Sequence, residues 1–347
     1  MTSVTNPADL PGPFEIAAAW RGTELFDRKD WVVELHREHL DEIDAALHHA
    51  ESLGGDVEAA TIDDFPLPRL SDVLHAIQDR LEHGSGACLI RGLSVDRYTE
   101  SQLRRIFWGL ATRIGTPVSQ SAAGERIFSV RDEGWKEKQP QARGPNTRKR
   151  LSFHTDRCDV IAFLCLKQAI SGGANQLVSS VALYNEMRSR WPESLRALMQ
   201  SFWYMRHTVD VANPRPYCQQ PIFSCHEGHF AASYLRVLID RAAAMPSAPD
   251  LSDQQLEALD RLESLAADPA FHVTIRQEPG DLLLLNNWTT FHRRDEFADS
   301  TDAEQRRHIL RIWLAVPNSR PLDPRFADNY GSTAAGAVRG GMSPASE

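Results

Sequence analysis

The sequence has 347 residues, of which 42% are hydrophobic and 24% are charged, the proportions of an ordinary globular protein. Lysine and arginine number 38 against 47 acidic residues, and the resulting net charge of −9 offers no general electrostatic footprint for nucleic acid. No apolar run approaches the roughly 18 residues that a membrane span needs, and no signal-peptide pattern is recognised, so we expect a cytoplasmic protein. The five cysteines lack CxxC spacing and are interpreted as reduced thiols.

The first part of the chain is predicted to be mainly helical. Apolar residues recur at helical spacing over residues 31–53 and again over residues 70–81. Residues 84–92, GSGACLIRG, form an apolar run bounded by glycines, which indicates a buried strand. A threonine and a glutamine at the ends of residues 99–102 have the spacing of a capping box, which predicts the start of a further helix. We therefore predict a helical extension over residues 1–84.

A polar segment precedes the middle of the chain. Residues 132–150 are rich in proline and glycine and locally basic, and they run directly into the segment LSFHTDRCD at residues 151–159. Two interpretations stay open for this loop: a lid that closes over a binding site, or a disordered excursion on the surface.

Strand patterns dominate the second half of the sequence. Residues 160–166 are a continuous apolar run, and residues 271–277 and 281–286 flank a Pro-Gly turn, so we predict that the latter two form a hairpin. Residues 307–316, RHILRIWLAV, alternate strictly, which places two arginines on one otherwise apolar face. Buried arginines are costly without anions, so we expect an acidic group to meet them there.

These patterns predict the fold class. Strands concentrated in the middle and at the end, with helices early and inserted, indicate a mainly β fold with helices, built on an antiparallel sandwich or jelly roll. We predict that this domain spans residues 85–332 and that residues 333–347 form a loosely wrapped tail. The sequence contains no glycine pattern of a Rossmann or P-loop nucleotide site.

Three side chains have the types and spacing of a metal site. His154 and Asp156 lie two residues apart, so in an extended segment they point to the same side. His292, which follows the predicted hairpin, supplies a second imidazole. Two histidines and one carboxylate are the ligands of non-haem Fe(II) oxygenases, which leave three coordination positions open. Both histidines must be neutral to bind iron, so we expect iron affinity to fall below about pH 6.

The arginines at the end of the sequence suit a 2-oxoacid cosubstrate. 2-Oxoglutarate would chelate the iron through its C1 carboxylate and keto oxygen, leaving one position for O2. Its distal carboxylate then needs a fixed cation, and a guanidinium binds carboxylates in a bidentate manner. Arg307, 15 residues past His292, is the candidate for this role.

The segments FHTDRCD, SGGANQLVSS, PGDLLLLNNWTTFHRR and RRHILRIWLAVP, in this order and spacing, resemble the TauD/TfdA (taurine dioxygenase-like) family of Fe(II)/2-oxoglutarate-dependent dioxygenases, near its clavaminate-synthase-like branch. The resemblance covers about residues 85–332. It implies a double-stranded β-helix, iron held by His154, Asp156 and His292, and 2-oxoglutarate held by Arg307. It also implies decarboxylation of 2-oxoglutarate to succinate with oxidation of an unactivated C–H bond.

The resemblance assigns roles to two further residues. Arg311 matches the second arginine of the family's R-x-x-x-R element and would assist either the cosubstrate or an acidic group of the substrate. Asn175 stands where many relatives have a threonine whose hydroxyl helps to bind the cosubstrate, and it is the candidate to replace that contact. Asp156 is an acid rather than the small residue of the related halogenases, which favours hydroxylation over chlorination.

The sequence identifies the substrate only by class. Arg311, Arg236 and Gln120 are the candidate substrate contacts. Arg311, together with Arg236, Arg206 and the basic loop at residues 136–150, favours a small anionic or zwitterionic molecule such as an amino acid or another carboxylate. Structural ion pairs are the alternative role of each arginine. Taurine itself is not assumed. The sequence leaves self-association open.

One rival function belongs to another class. A cupin-like protein could bind a metal and a small carboxylate without redox chemistry, as a binding or sensor protein. A zinc hydrolase is disfavoured because no clear general base lies near the proposed ligands.

Overall fold

The computed structural model of the protein describes residues 10–28, 30–134 and 146–343. Its helices are α1 (Glu24–Asp27), α2 (Arg37–Leu53), α3 (Leu70–His83), α4 (Glu100–Ile114), α5 (Ser180–Arg190), α6 (Pro192–Leu198), α7 (Arg236–Ala243), α8 (Asp253–Ala267) and α9 (Ala327–Tyr330). Its strands are β1 (Val32–Glu34), β2 (Ala87–Arg91), β3 (Thr116–Val118), β4 (Ile127–Val130), β5 (Val160–Lys167), β6 (Ser171–Gly172), β7 (Asn175–Ser179), β8 (Ser201–Met205), β9 (Tyr217–Pro221), β10 (Phe223–His226), β11 (His229–Ala232), β12 (His272–Ile275), β13 (Leu282–Asn286), β14 (Thr290–Arg294), β15 (Phe297–Ala298) and β16 (His308–Ala315).

Two sheets form the centre of the molecule. The larger has seven strands in the order β1-β2-β13-β5-β16-β3, with β4 also paired to β16. The smaller has three strands in the order β12-β7-β14. One hydrophobic cluster contains side chains from both sheets, among them Leu283 and Trp313 of the larger and Leu177 and Val273 of the smaller. The two sheets therefore pack face to face.

Helices cover the outer faces of both sheets. The other face of the large sheet shares a hydrophobic cluster with α2, α3 and α4, which includes Ile43, Ile77 and Phe107. The small sheet packs in the same way against α5, α6 and α8. Since the chain before residue 84 shares the core of the large sheet, the predicted helical extension is packed on the strands that follow it. Its boundary stays a prediction.

Most predicted elements are present, and the capping box of α4 is confirmed, with the Thr99 side chain accepting from the Gln102 backbone amide. One helix was predicted too long. Val32 and Val33 belong to β1, which runs parallel to β2, and α2 begins only at Arg37. Over three residues the apolar pattern fits either structure, and the β-branched valines gain a strand partner in the large sheet.

The predicted hairpin near Gly280 is wrong. β12 pairs with β7 in the small sheet, whereas β13 pairs with β2 and β5 in the large one. The Pro-Gly turn therefore carries the chain from one sheet to the other. The burial patterns give the reason: β12 alternates between buried and exposed positions and occupies an edge, whereas β13 is buried on both faces and needs a central place.

Three further predictions concern surface segments. Residues 135–145 of the proposed lid lie outside the described part of the chain. The described part of the predicted tail, residues 333–343, is not loose, because Arg339 is fully buried and pairs with Asp159 at 2.6 Å. Among the described residues, no helix is long and apolar enough to cross a membrane.

Candidate metal centre

Three predicted ligands converge on one point. Each of His154, Asp156 and His292 offers one ligand atom, and these atoms lie within 4.8 Å of one another. His292 Nε2 lies 3.5 Å from Asp156 Oδ2, and the two imidazole rings have centroids 4.4 Å apart. Asp156 Oδ2 is buried and has no hydrogen-bond partner among the described residues. A divalent cation fits this set, because it would satisfy a buried carboxylate and two imidazoles at once.

The backbone holds the ligands in place. His154 lies in a short extended segment and exchanges two hydrogen bonds of 3.0 Å with His292, so the two histidines are paired across an isolated bridge. The Asp156 amide donates to the side chain of Asn287 at 3.1 Å. The sequence predicted that His292 follows a hairpin. It lies instead within β14, and it enters the site from the small sheet.

Hydrogen bonding and charge prepare the ligands for a metal. His154 Nδ1 lies 2.8 Å from the carbonyl oxygen of Ser152, so this nitrogen donates and Nε2 is left to bind. Burial, with a contribution from His292, lowers the pKa of His154 to about 4. Burial acts to raise the pKa of Asp156, but Arg311 and the two histidines outweigh it and hold the pKa below its ordinary value. His154 and Asp156 are therefore in their metal-binding protonation states at neutral pH.

The two arginines of the last long strand meet the site from the large sheet. Arg307, just before β16, is 3% exposed, and its Nε and Nη1 atoms are buried without a hydrogen-bond partner among the described residues. Burial lowers its pKa to about 10. Arg311 lies nearer the triad, with Nη1 3.7 Å from Asp156 Oδ2. We predicted that an acidic group would meet both arginines. Asp156 is such a group for Arg311, whereas Arg307 has no acidic partner among the described residues.

Two cavities meet at His154. The inner cavity, of about 40 Å³, is lined by His154, His292, Arg307 and Arg311. The outer cavity, of about 320 Å³, is lined by His154, Asp156 and Arg311, and it extends to Arg241. His154 and Arg311 line both, so these two residues mark the boundary between an inner site next to Arg307 and a larger outer site.

The remaining predicted contacts divide into three groups. Asn175 lines the inner cavity, and its Nδ2 donates to Gln277 at 2.8 Å. Gln120 lines the outer cavity but is engaged with Arg311, accepting from its Nε at 2.6 Å and donating to its backbone carbonyl at 2.8 Å. Gln120 therefore orients Arg311. Arg236 is not brought to the site.

The side chain of Arg236 is occupied elsewhere. It forms ion pairs with Asp240 of its own helix and with Asp260 and Glu263 of α8. Its role is the structural one that the sequence analysis named as the alternative, and it lines neither cavity.

Several lining residues were missed at the sequence level. Trp313 lines the outer cavity, and strand alternation had already placed it on the face of Arg311, so a signal for it existed. Gln277, which fixes Asn175, and Met342 of the tail gave no local signal because they come from distant parts of the chain.

The site between the two packed sheets contains a facial His-Asp-His triad and a buried arginine without an anionic partner among the described residues. This combination defines the class of Fe(II)/2-oxoglutarate-dependent oxygenases. The model of the family described as "Taurine catabolism dioxygenase TauD, TfdA family" matches residues 49–313. The chain belongs to this family. It is an Fe(II)/2-oxoglutarate-dependent oxygenase, which excludes the non-catalytic binding protein considered from the sequence.

Curated relatives match nearly the whole chain. FR-33289 synthase of Streptomyces rubellomurinus is 29% identical over 90% of this chain and 93% of its own length. The taurine hydroxylase-like protein SAT17 of Stachybotrys chartarum is 27% identical over 91% of this chain and 86% of its own.

Among solved structures, asparagine oxygenase in complex with Fe(II), 2S,3S-3-hydroxyasparagine and succinate superposes with a TM-score of 0.65 at 17% identity, covering 82% of this chain and 93% of that one. The non-heme iron oxygenase OrfP, in complex with Fe and alpha-ketoglutaric acid, has a TM-score of 0.59 at 15% identity, with the same coverage. These likenesses show a shared fold.

Proposed function

We propose that the protein hydroxylates an unactivated C–H bond of a small amino-acid-like or other carboxylate substrate, and that its two packed sheets are the double-stranded β-helix of a jelly roll spanning residues 85–332. One observation carries the proposal. The inner cavity joins two imidazoles of the triad to a buried guanidinium that lacks an anionic partner among the described residues. A dicarboxylate with one end at the metal and the other at Arg307 satisfies both.

Each residue has a separate role in this proposal. His154, Asp156 and His292 hold the iron on one face, which leaves positions for cosubstrate and O2. Arg307 binds the distal carboxylate of 2-oxoglutarate, and Asn175 lies on the wall beside it. Arg311, held by Gln120, adds positive charge where the two cavities meet.

When bound, iron and 2-oxoglutarate supply the oxidant: 2-oxoglutarate and O2 become succinate, CO2 and one oxygen atom, which is inserted into the substrate C–H bond. The chain's own residues position the reactants and exclude water. Leu151, Phe163 and Ile309 give the inner cavity an apolar wall, which strengthens the electrostatic attraction of Arg307 for a carboxylate. The outer cavity is large enough to hold a substrate against the face of Asp156 and His154.

Two lines support the substrate class and the reaction. Two structural neighbours are complexes with hydroxylated amino acids, 2S,3S-3-hydroxyasparagine in asparagine oxygenase and (3S)-hydroxy-L-Arg in OrfP. Asp156 occupies the carboxylate position of the triad, so the iron keeps three protein ligands. A relative from Amycolatopsis is named uridine-5'-phosphate dioxygenase, which extends the range of substrates to phosphorylated molecules, although it matches only 44% of this chain.

Other features of the sequence stay predictions. Residues 85–332 are proposed to be the catalytic domain behind a helical extension, and the two interpretations of residues 132–150, a lid or a disordered surface excursion, both stay open. A cytoplasmic location and the possibility of a homo-oligomer are retained in the same way.

Anaerobic addition of Fe(II) and then 2-oxoglutarate to the purified protein tests the cosubstrate site. We expect a weak visible charge-transfer band that requires both additions. A screen of amino acids and organic acids for substrate-stimulated succinate release, with mass spectrometry of the products, tests the reaction. A product heavier than its substrate by one oxygen atom is expected. Absence of the band would contradict the proposal.

A further inference from the structure

An arginine on α7 lacks the partners that nearly every other arginine has. Among the arginines that the structure describes, only Arg241 and Arg307 have guanidinium groups without a hydrogen bond or an ion pair. Arg307 lines the inner cavity and Arg241 lines the outer one. Arg307 is buried, so its guanidinium needs a carboxylate or carbonyl partner, whereas Arg241 is solvent-exposed and its guanidinium is hydrated and free to bind an anion. The two exceptions therefore both face the cavities that meet at the metal ligands.

The geometry of α7 aims Arg241 at the outer cavity. Leu235, immediately before the helix, forms a bridge with His154, so the helix is attached to the metal-binding segment. Val237 and Arg241 are four residues apart and share one face, and both line the outer cavity. Arg236 and Asp240 occupy another face, pair with each other, and Arg236 also reaches the acids of α8. Arg236 and Arg241 therefore lie on different faces of α7: Arg236 forms structural ion pairs, and Arg241 faces the outer cavity.

The charge of the outer cavity favours an anion. Its described lining contains three arginines, Arg150, Arg241 and Arg311, and one acid, the metal ligand Asp156. Arg150 pairs with Asp295 at 3.1 Å, and Arg311 lies 3.7 Å from Asp156, so Arg241 is the one without a counter-ion. A bound Fe(II) would make this balance more positive.

A second donor in the same cavity also lacks an acceptor. Trp313 is 6% exposed, and its indole Nε1 has no hydrogen-bond partner among the described residues. A buried indole N–H normally donates to an oxygen. Trp313 lines the same cavity as Arg241, so this side of the metal ligands carries a second polar group besides the arginines.

We infer that Arg241 is a specificity-determining residue that binds a distal oxyanion of the substrate, a carboxylate or a phosphoryl group. The inference rests on the proposed function and narrows its substrate class: beyond any group next to the metal, the substrate carries a negative charge at the end that faces α7. Arg241 positions the substrate and does not touch the reacting atoms.

Matched substrate pairs test this assignment. Succinate release is measured with L-aspartate against L-asparagine, L-glutamate against L-glutamine, and O-phospho-L-serine against L-serine. We expect the acidic member of at least one pair to have a KM at least about tenfold lower than its neutral partner. A preference confined to the phosphoserine pair identifies a phosphoryl group, and one in the amino-acid pairs identifies a carboxylate.

Substitutions of Arg241 then separate binding from chemistry. Arg241→Ala should raise the KM of the preferred acidic compound about tenfold, leave kcat within about twofold, and leave the KM of the neutral partner unchanged. Arg241→Lys should restore part of the affinity, and Arg241→Glu should reverse the preference within the pair. Arg37→Ala, which removes an exposed charge on α2 away from both cavities, is the control. Anaerobic calorimetry with the Fe(II)- and 2-oxoglutarate-loaded protein gives the same comparison without turnover.

The outcomes distinguish this inference from the function on which it rests. A protein that fails to bind Fe(II) and 2-oxoglutarate contradicts both. A protein that binds them, but responds to no acidic member of the panel or responds equally to both members of every pair, overturns the assignment of Arg241 alone. An Arg241→Ala variant that behaves like Arg37→Ala also overturns it.

Discussion

Replacing Arg307 by methionine should have opposite effects on the ligand-free protein and on the protein with cosubstrate. Arg307 is 3% exposed, and burial lowers its pKa from 12.5 to about 10. A tenfold change in acidity corresponds to about 1.4 kcal/mol, so keeping this guanidinium charged costs the ligand-free fold about 3 kcal/mol. Methionine has a similar length and no charge, and we expect Arg307→Met to raise the free energy of unfolding of the ligand-free protein.

The same substitution removes the cation that the distal carboxylate of 2-oxoglutarate needs. Loss of about 3 kcal/mol of binding corresponds to a KM for 2-oxoglutarate raised about 100-fold. 2-Oxoglutarate at 100 times its dissociation constant stabilises a fold by about 2.7 kcal/mol, and at the same concentration this increment should fall to about 0.4 kcal/mol in the variant. Arg307→Lys keeps the charge but not the bidentate geometry, and we expect an intermediate KM.

Urea unfolding with and without 2-oxoglutarate under anaerobic Fe(II), together with steady-state succinate release, measures both effects. Arg306→Met is the control, because Arg306 is half-buried, donates to the Ser300 carbonyl at 3.3 Å and lines neither cavity. If Arg307→Met binds 2-oxoglutarate with the affinity of the unmodified protein, the role given to this buried charge is wrong.

Three further predictions concern the triad and the tail. Asp156→Ala should reduce substrate-dependent succinate release by at least about 100-fold, measured by chromatography, because it removes the only anionic ligand of the triad. The fold lowers the pKa of His154 from an ordinary 6.5 to about 4, so in the absence of iron the unfolded state binds a proton first as the pH falls. The free energy of unfolding should therefore drop by about 3 kcal/mol between pH 6.5 and 4. The His154→Gln variant should lack this drop in urea titrations carried out across the same pH range. Arg339→Met removes the charged partner of the fully buried Asp159 carboxylate, which keeps its hydrogen bonds from Trp288 and Val316, and it should lower the free energy of unfolding by about 3–5 kcal/mol.

A different result would contradict each of these three predictions. Retained turnover in Asp156→Ala with iron and 2-oxoglutarate would remove the aspartate from the ligand set. An unchanged pH slope in His154→Gln would mean that this imidazole is not the buried neutral group described above. The comparison for Arg339→Met is Arg325→Ala, which removes the exposed arginine of the Arg325–Asp323 pair and should cost less than about 1 kcal/mol. An equal effect of Arg339→Met would argue against a buried pair.

The low pKa of His154 also revises an expectation from the sequence. Reference pKa values alone set the loss of iron binding below about pH 6. Burial moves the protonation of His154 to lower pH, so competition between protons and iron at this ligand begins later in an acid titration. Burial depends on the neighbours that the fold supplies, and the sequence of the segment LSFHTDRCD does not contain that information.

The sequence alone determined the chemistry of the site. A histidine and an aspartate two residues apart, a distant histidine and an arginine pair on an alternating strand identified the metal ligands and the oxygenase class before any coordinates, because these signals depend on residue type and on local period. The same is true of α4, whose capping box and apolar face lie within one short stretch of chain.

Only the tertiary structure decided which polar residues line the outer cavity. It assigned Arg236 to ion pairs with α8 and turned Arg241 toward the outer cavity, and it brought Met342 of the tail to the same wall. It also divided β12 and β13 between two sheets, although the sequence around Gly280 has the signature of a hairpin. These outcomes depend on contacts between segments that are far apart in the chain, and such contacts leave no periodic or local pattern in the sequence.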